Sequence, residues 1–322
     1  MRFSFIVRCA LSGALVCAAA VAAAQDAAYP KRGNVEITVL FPAGSSADVT
    51  ARLLAQGMSR QLGANVLVVN RPGAGGAIGY KYVAGQKPDG YSLVWNSNSI
   101  STTFHSGQLP FDYRSFDGVA RVLVETPLLV VRGDARWKSL TDFIEDAKAR
   151  PGKMSIANSG TGSHTHITAV ALARAAGIQV IDVPYAAAQV VPAVMGNHVE
   201  AMVQLPGAMA GQLKAGALRA IAALIPSRDP ALPDVPTAQE QGLPVSLEAW
   251  RGIAVPAGTP RAVVAALDDA IRRTVETTEF AQGSERLYVR PSYLGNAQFN
   301  KLIAGEDVEL ARIMQSIGLK KD

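Results

Sequence analysis

Residues 35–48 decide the fold, and they read Val-Glu-Ile-Thr-Val-Leu-Phe-Pro-Ala-Gly-Ser-Ser-Ala-Asp. The apolar and β-branched residues 35–41 predict a buried strand. Residues 42–48 bring proline, glycine and serine, which predict a loop. Residues 49–62 place apolar side chains at helical spacing and stop before Gly63, so they predict a helix. This order of strand, loop and helix is typical of one unit of an α/β layer.

The same order recurs along the rest of the chain. We expect strands at 66–69, 91–95, 127–131, 154–157, 180–183, 201–204, 217–224 and 252–255. We expect helices at 139–149, 165–176, 261–277 and 297–317. Strands that recur with helices between them predict a parallel sheet in an α/β fold.

The composition is that of a folded protein with substantial hydrophobic cores. Of the 322 residues, 49% are hydrophobic and 18% are charged, which excludes an intrinsically disordered chain. A chain of this length is expected to form two domains. The formal net charge of +5 comes without a clustered basic stripe, so the sequence does not indicate a protein that binds nucleic acid.

Residues 1–24 have the pattern of a secretory signal peptide. Arg2 and Arg8 flank its start, residues 9–20 form a short apolar run, and the alanines at 22–24 supply small residues for cleavage. The apolar run is too short to span a bilayer, which takes about 20 residues. We therefore expect a soluble protein that is exported to the periplasm.

Both cysteines, Cys9 and Cys17, lie inside this segment. A lipoprotein signal is the alternative interpretation, but Val16 is bulky where a lipidation site has a small residue. After cleavage the chain would have no cysteine, which excludes a disulfide, a thiol nucleophile and a zinc–thiolate site from the mature protein.

Two loops carry the functional signal, residues 43–48 and residues 159–163. Each lies between a predicted strand and a predicted helix and combines glycine with hydroxyl side chains. Helix N-termini present unpaired N–H groups and a partial positive charge to an anion. One such loop from each of two facing domains would clamp a small carboxylate. The alternative is that both are ordinary turns capped by Asp48 and Ser163.

The other motifs do not indicate an enzyme, a metal site or a cofactor. The run Gly73–Gly79 lacks the dinucleotide-binding pattern, because Ile78 stands where the third glycine belongs, and a structural turn is the better interpretation. His164 and His166 lie at a predicted helix start, where side chains two positions apart diverge, and no carboxylate cluster accompanies them. No G-x-S-x-G surrounds Ser163. We expect no catalytic residue.

Residues 41–52, Phe-Pro-Ala-Gly-Ser-Ser-Ala-Asp-Val-Thr-Ala-Arg, resemble the first signature of the tripartite tricarboxylate transporter receptors, the Bug-type periplasmic solute-binding proteins. Further matches to this family follow in its order at 69–76, 88–93, 160–166, 183–185, 232–237 and 256–260. The resemblance extends from Val35 to the C-terminal helix.

The resemblance implies an α/β protein with the two-domain periplasmic-binding-protein fold (type II, flytrap), whose ligand cleft lies between the domains. Domain 1 would be discontinuous, residues 25–125 plus 248–322, and domain 2 would be residues 126–247. The protein would be a monomer without a cofactor. It would capture a small organic carboxylate and pass it to the membrane permease subunits of a tripartite transporter.

The resemblance also implies which residues bind the ligand. Those on domain 1 are Ala43, Gly44, Ser45, Ser46 and Asp48, and those on domain 2 are Ser159, Gly160, Thr161, Gly162, Ser163, His166, Tyr185 and Gln204.

This chain departs from the family's pattern at three places. Ser45 stands where a second glycine is usual, Ala186 and Ala187 stand where a basic residue and glycine are common, and Gln204 replaces an acidic residue. Losing one positive and one negative group suggests a more neutral pocket, for a monocarboxylate or an amide-bearing acid.

Two other functions remain open from the sequence. The protein could present its ligand to a signalling partner in the membrane instead of a permease. It could also be a periplasmic hydrolase that uses Ser163 and His166, in which case turnover of an ester would be lost on Ser163→Ala.

Overall fold

Two β-sheets organise the chain, and helices cover both. The computed structural model describes residues 29–30 and 33–321, so the predicted signal peptide, 1–24, lies outside the described residues. The strands are β1 (Val35–Val39), β2 (Val66–Asn70), β3 (Ser92–Ser97), β4 (Phe116–Glu125), β5 (Leu128–Arg132), β6 (Ser155–Asn158), β7 (Ile181–Pro184), β8 (Ala201–Gln204), β9 (Leu218–Ala223), β10 (Ala249–Pro256) and β11 (Arg290–Leu294).

The helices connect these strands and pack on the faces of the sheets. They are α1 (Ser46–Leu62), α2 (Ala77–Ala84), α3 (Ser99–His105), α4 (Leu140–Ala149), α5 (His164–Ala176), α6 (Val190–Met195), α7 (Ala210–Lys214), α8 (Arg261–Val275), α9 (Thr278–Arg286) and α10 (Asn296–Ser316). Within the described residues, no helix combines the length and the apolar character that a membrane crossing needs.

The first sheet has six strands in the order β11-β4-β10-β3-β1-β2. Strand β1 pairs in parallel with β2 and β3, while β10 runs antiparallel between β3 and β4. The second sheet has five strands in the order β7-β6-β8-β5-β9. There β6 pairs in parallel with β7 and β8, while β5 is antiparallel to β8 and β9.

Both sheets are therefore mixed: the expected parallel pairing is present, but the strands near the crossings are antiparallel to their neighbours. Parallel neighbours need a crossover connection that returns the chain to the same end of the sheet. Strand β4 leads into β5 through residues 126–127 alone, and the chain returns to β10 from the second sheet. Strands β5 and β10 therefore run antiparallel to their neighbours.

Each sheet has its own hydrophobic core. The first core contains the fully buried side chains of Tyr80, Trp95 and Phe280. The second contains Phe143 and Ile156. The chain passes between the two cores near residues 126–127 and again between β9 and β10, and the domain limits given above stay a prediction.

The C-terminal helix α10 contacts both cores. Its first half places Phe299 and Ile303 in a cluster with Trp250 of the first sheet. Its second half places Leu310 and Met314 in the second core. The helix thus forms a further connection between the two halves of the molecule.

Several elements escaped the sequence analysis. Strand β4 was missed because Arg121 interrupts its apolar pattern. The Arg121 side chain donates a hydrogen bond to the backbone oxygen of Ser292 on β11 at 2.9 Å. Helix α3 is rich in serine and threonine and has no apolar periodicity, yet it is almost wholly buried. Helices α2, α6, α7 and α9 and strand β11 are short, and short elements give weak periodic signals.

Candidate functional site

The two predicted loops face each other across the space between the sheets. Together they line a cavity of about 20 Å³, which we call the inner pocket. A cavity of this volume has room for about one water molecule, so a ligand would enter only when the two loops move apart. Of the predicted ligand-binding residues, those that line it are Ser45, Ser46, Ser159, Ser163 and Gln204.

The first loop ends where helix α1 begins. Ser45 is the N-cap of this helix, since its Oγ accepts a hydrogen bond from the backbone N–H of Asp48 at 3.3 Å. The alternative that Asp48 is the cap was therefore wrong. The N-cap needs extended backbone angles, which Ser45 has and Asp48, already inside the helix, does not.

Asp48 instead holds the first loop in place through hydrogen bonds to its carboxylate. Its carboxylate accepts hydrogen bonds from the Gly44 N–H at 3.1 Å, from Arg52 Nε at 3.0 Å and from Asn70 Nδ2 at 2.9 Å. Burial raises the pKa of this carboxyl, but the hydrogen bonds from Arg52, Asn70 and Gly44 outweigh burial and lower it. Asp48 stays charged, has partners in the loop, in α1 and at the end of β2, and does not line the inner pocket. Ala43 and Gly44 are exposed and do not line it either.

The second loop ends in the same way, at the N-terminus of helix α5. Ser163 is the N-cap, as expected, and its Oγ accepts from the backbone N–H of His166 at 3.2 Å. Ser159 lies at the start of this loop, and its Oγ accepts a hydrogen bond from Gln204 Nε2 at 3.1 Å. The hydroxyls of both caps and the Gln204 amide therefore converge on one cavity.

Five further predicted residues, all after Ser159 in the chain, line a wider opening, which we call the outer cleft. It has a volume of about 660 Å³ and includes the Gly73–Gly76 segment on one side. Of the predicted ligand-binding residues, its lining holds Ser159, Gly160, Thr161, Gly162, His166 and Tyr185.

Both ring nitrogens of His166 make contacts within the protein. Its Nδ1 accepts a hydrogen bond from the Gly162 N–H at 3.2 Å, and its Nε2 lies 3.3 Å from a carboxylate oxygen of Asp182. Both ring nitrogens thus hold the second loop in place. The structure gives His166 a role in shaping the loop rather than a free nitrogen for a ligand.

Direct contacts close the two halves over the inner pocket. Thr102 Oγ1 donates to the backbone oxygen of Gly162 at 2.7 Å, and Gln108 Nε2 donates to the backbone oxygen of Thr161 at 3.1 Å. Gly75 approaches the same loop so closely that a Cβ there would lie 2.9 Å from the Thr161 oxygen. The glycine run is a structural turn, as expected, and it lies against the second loop.

The sequence analysis missed a buried ion pair beside the inner pocket. Arg251 of β10 donates from Nε to Glu125 Oε2 of β4 at 2.8 Å, and both side chains are almost wholly buried. Ser46 donates its hydroxyl to the other oxygen of Glu125. The sequence did contain a signal for this pair, because Arg251 and Glu125 are each a single charge within an apolar run. Charged residues are rarely buried unless they are paired.

His164 is the second residue that the analysis missed at the pocket. Its ring is buried, and its Nε2 has no hydrogen-bond partner among the described residues. Burial, and next the nearby charge of Arg251, lower the pKa of His164 to about 3. The ring is therefore neutral at physiological pH. Among the described residues, no cluster of His, Cys, Asp and Glu could hold a metal ion.

Comparison with known proteins places this geometry in a family. The family model described as "Tripartite tricarboxylate transporter family receptor" matches residues 50–319. The chain belongs to this family. The resemblance seen in the sequence motifs is thereby confirmed.

Individual receptors support the assignment. BugT of Bordetella pertussis is 30% identical over 318 residues, which cover 97% of each chain. The periplasmic binding protein BugD has a TM-score of 0.86 at 28% identity, covering 91% of this chain and all of that one. MatC from Rhodopseudomonas palustris, solved with bound malate, has a TM-score of 0.82 at 26% identity, covering 88% of this chain and 99% of that one. The expected two-domain α/β binding-protein fold is confirmed.

Proposed function

We propose that this receptor captures a small carboxylate in the inner pocket and delivers it in the periplasm to the permease subunits of a tripartite membrane transporter. One observation carries the proposal: two helix N-termini from opposite halves of the molecule meet at a cavity that also contains a buried arginine. MatC, of the same fold, holds malate. The role of the permease rests on the family alone.

The electrostatics of the pocket suit an anion. The N-caps of α1 and α5, helices of 17 and 13 residues, both line it. The N-terminus of a helix carries about half a positive charge and points N–H groups outward. Arg251 adds a guanidinium. Of the residues that the structure describes, none with an acidic side chain lines the inner pocket.

The contacts of Ser163 and His166 favour binding over hydrolysis. A serine nucleophile needs a base within hydrogen-bond reach, about 2.6–3.2 Å. Here the Ser163 hydroxyl accepts from the backbone N–H of His166, while the His166 ring is held by Gly162 and Asp182. The imidazole is therefore not positioned to take a proton from Ser163.

Thermal unfolding of the mature chain, from Gln25 onward, tests the proposal against a panel of small carboxylates, amino acids and sugars. A ligand at 100 times its Kd adds about 2.7 kcal/mol to the free energy of unfolding. We expect carboxylates to raise Tm by several degrees, at roughly 2–4 °C per kcal/mol for chains of 150–250 residues and somewhat less here. A shift with sugars alone, or turnover of an ester substrate, would contradict it. Uptake of the bound acid by cells that express the receptor and its permease tests delivery.

Replacing Ser163 with alanine separates a ligand contact from a helix cap. Loss of the cap should cost about 1 kcal/mol of stability. Ser139 caps α4 in the same manner, with its Oγ accepting from Asp142 N at 3.1 Å, and it does not line the inner pocket. We expect Ser163→Ala and Ser139→Ala to lower Tm alike, while only Ser163→Ala weakens carboxylate binding, by about tenfold since a hydrogen bond to a charged group contributes roughly 1.5–3 kcal/mol. Equal carboxylate affinities of the two variants, measured by calorimetry, would show that Ser163 acts only as a helix cap.

A further inference from the structure

Arg251 brings to the inner pocket more hydrogen-bond donors than the protein uses. A guanidinium carries five N–H groups, of which one is on Nε and four are on the two terminal nitrogens. The Nε–H donates to Glu125, and the guanidinium carbon lies 5.9 Å from the centre of the Phe41 ring. Within residues 29–30 and 33–321, no oxygen accepts a hydrogen bond from either terminal nitrogen.

These donors lie beside the inner pocket. The side chain of Arg251 is 5% exposed and lines the inner pocket. Its terminal nitrogens are not among the described side-chain atoms that are both fully buried and unpartnered, so a ligand in the pocket could reach them. An oxygen of a bound carboxylate would supply the acceptor, since a guanidinium matches a carboxylate with two parallel hydrogen bonds.

Glu125 limits the charge that Arg251 brings to the pocket. The Glu125 side chain is fully buried, and its two oxygens accept from Arg251 and Ser46. It is not among the residues that line the inner pocket. Glu125 therefore neutralises the positive charge of Arg251 from the side away from the inner pocket. The unused N–H donors of Arg251 remain available to a ligand in the pocket.

We propose that Arg251 binds the carboxylate of the ligand and that Glu125, as a positioning residue, restricts the inner pocket to acids with a single negative charge. The proposal rests on the carboxylate-receptor function proposed above. It assigns the substrate class to monoanionic acids whose remaining polar groups are uncharged.

The physical reason is the charge balance of a buried site. With a monoanion bound, the pocket holds the Arg251–Glu125 pair and one further negative charge next to two helix N-termini, which stabilise it. A second carboxylate would have no cation left to pair with, and an unpaired buried charge is strongly disfavoured.

Matched acids test the proposal by isothermal titration calorimetry on the mature protein. The probes are succinate and glutarate, which are dianions at pH 7.5, and their monoamides succinamate and glutaramate, which have the same size and one charge. We expect the wild-type protein to bind the better monoamide at least tenfold more tightly than its diacid. Glu125→Gln keeps the shape and removes the balancing charge, so we expect it to shift that ratio at least tenfold towards the diacid.

Two further variants separate this effect from a general loss of structure. Glu36→Gln removes a carboxylate that pairs with Arg71 at 2.8 Å on the same sheet, away from the inner pocket, and should leave the ratio unchanged. Arg251→Lys keeps the charge but loses the planar pair of donors, and should weaken binding of both acids at least tenfold. Melting curves establish that each variant is folded.

Three results would overturn the proposal. They are a wild-type preference for the diacid, a ratio that Glu125→Gln leaves within twofold of wild type, and no binding of any of the four probes to the wild-type protein. If other carboxylates still bind in the thermal panel, the receptor function stands and only this inference is wrong. If no carboxylate binds at all, the proposed function fails with it.

Discussion

Replacing Gly75 with leucine is expected to weaken ligand binding at least a hundredfold. Gly75 has φ +62°, and a Cβ at this position would lie 2.9 Å from the Thr161 backbone oxygen and 3.1 Å from the Gly162 carbonyl carbon. Backbone atoms cannot rotate away as a side chain can, so the two loops would have to separate. Separation opens the inner pocket to water and removes one half of the carboxylate clamp. Calorimetry with the carboxylate found in the thermal panel measures the loss.

Gly63 offers a matched control for this substitution. It has the same φ of +62°, at the C-cap of α1, and a Cβ there would meet nothing within 4 Å. Gly63→Leu and Gly75→Leu therefore introduce similar backbone strain, and only Gly75→Leu obstructs the contact between the two halves. Equal affinities for the two variants would show that closure at Gly75 is not required for binding.

The second large effect is expected at Glu306, in the middle of α10. Burial raises the pKa of this carboxyl to about 7, although Trp250 Nε1 and Asn98 Nδ2 donate hydrogen bonds to it. Glu309 also raises the pKa, and Arg121 lowers it. The pKa in the folded protein thus lies above the ordinary value of 4.5.

Stability should therefore fall as pH rises through 7. The folded state holds a proton on Glu306 that the unfolded state loses near pH 4.5, so the extra stability is fully present below that pH and is lost above the folded pKa. A shift of this size corresponds to up to about 3 kcal/mol. Glu306→Gln keeps an acceptor for Trp250 and Asn98 but cannot ionise. We expect it to have a Tm several degrees above wild type at pH 8.5 and equal to it at pH 4.5.

Urea unfolding at pH values from 4.5 to 8.5 measures this difference directly. Glu285→Gln, on α9 with an exposed side chain, is the control and should follow the wild-type profile. If the stability of Glu306→Gln depends on pH as strongly as that of the wild-type protein, groups other than Glu306 cause the dependence.

The sequence predicted the local unit around β1 and α1 well, because strand, loop and helix lie within one short stretch. The two loops at the pocket were found for the same reason. The antiparallel strands β5 and β10 were not expected, since their direction depends on how the chain passes between the two halves. Helix α3 was missed because Thr102 and its neighbours are buried hydroxyl residues, and their hydrogen bonds rather than apolar contacts hold them there.

The Arg251–Glu125 pair shows why part of the site lay beyond the sequence. The two residues are 126 positions apart and come together only because β10 pairs with β4. Nothing in either local stretch indicates the other partner. A lone charge in an apolar run can mark a buried position, but only the fold identifies what neutralises it.

Helix α10 has a consequence for how the two halves can move. The links at 126–127 and between β9 and β10 define a line about which the halves could turn, as in hinged binding proteins. Helix α10 is a third attachment, with Phe299 anchored in one half and Met314 in the other. A turn about that line must bend the helix or slide one of its ends out of its core. How far the two halves can turn therefore depends on how far a 21-residue helix can bend or shift, as well as on the two links.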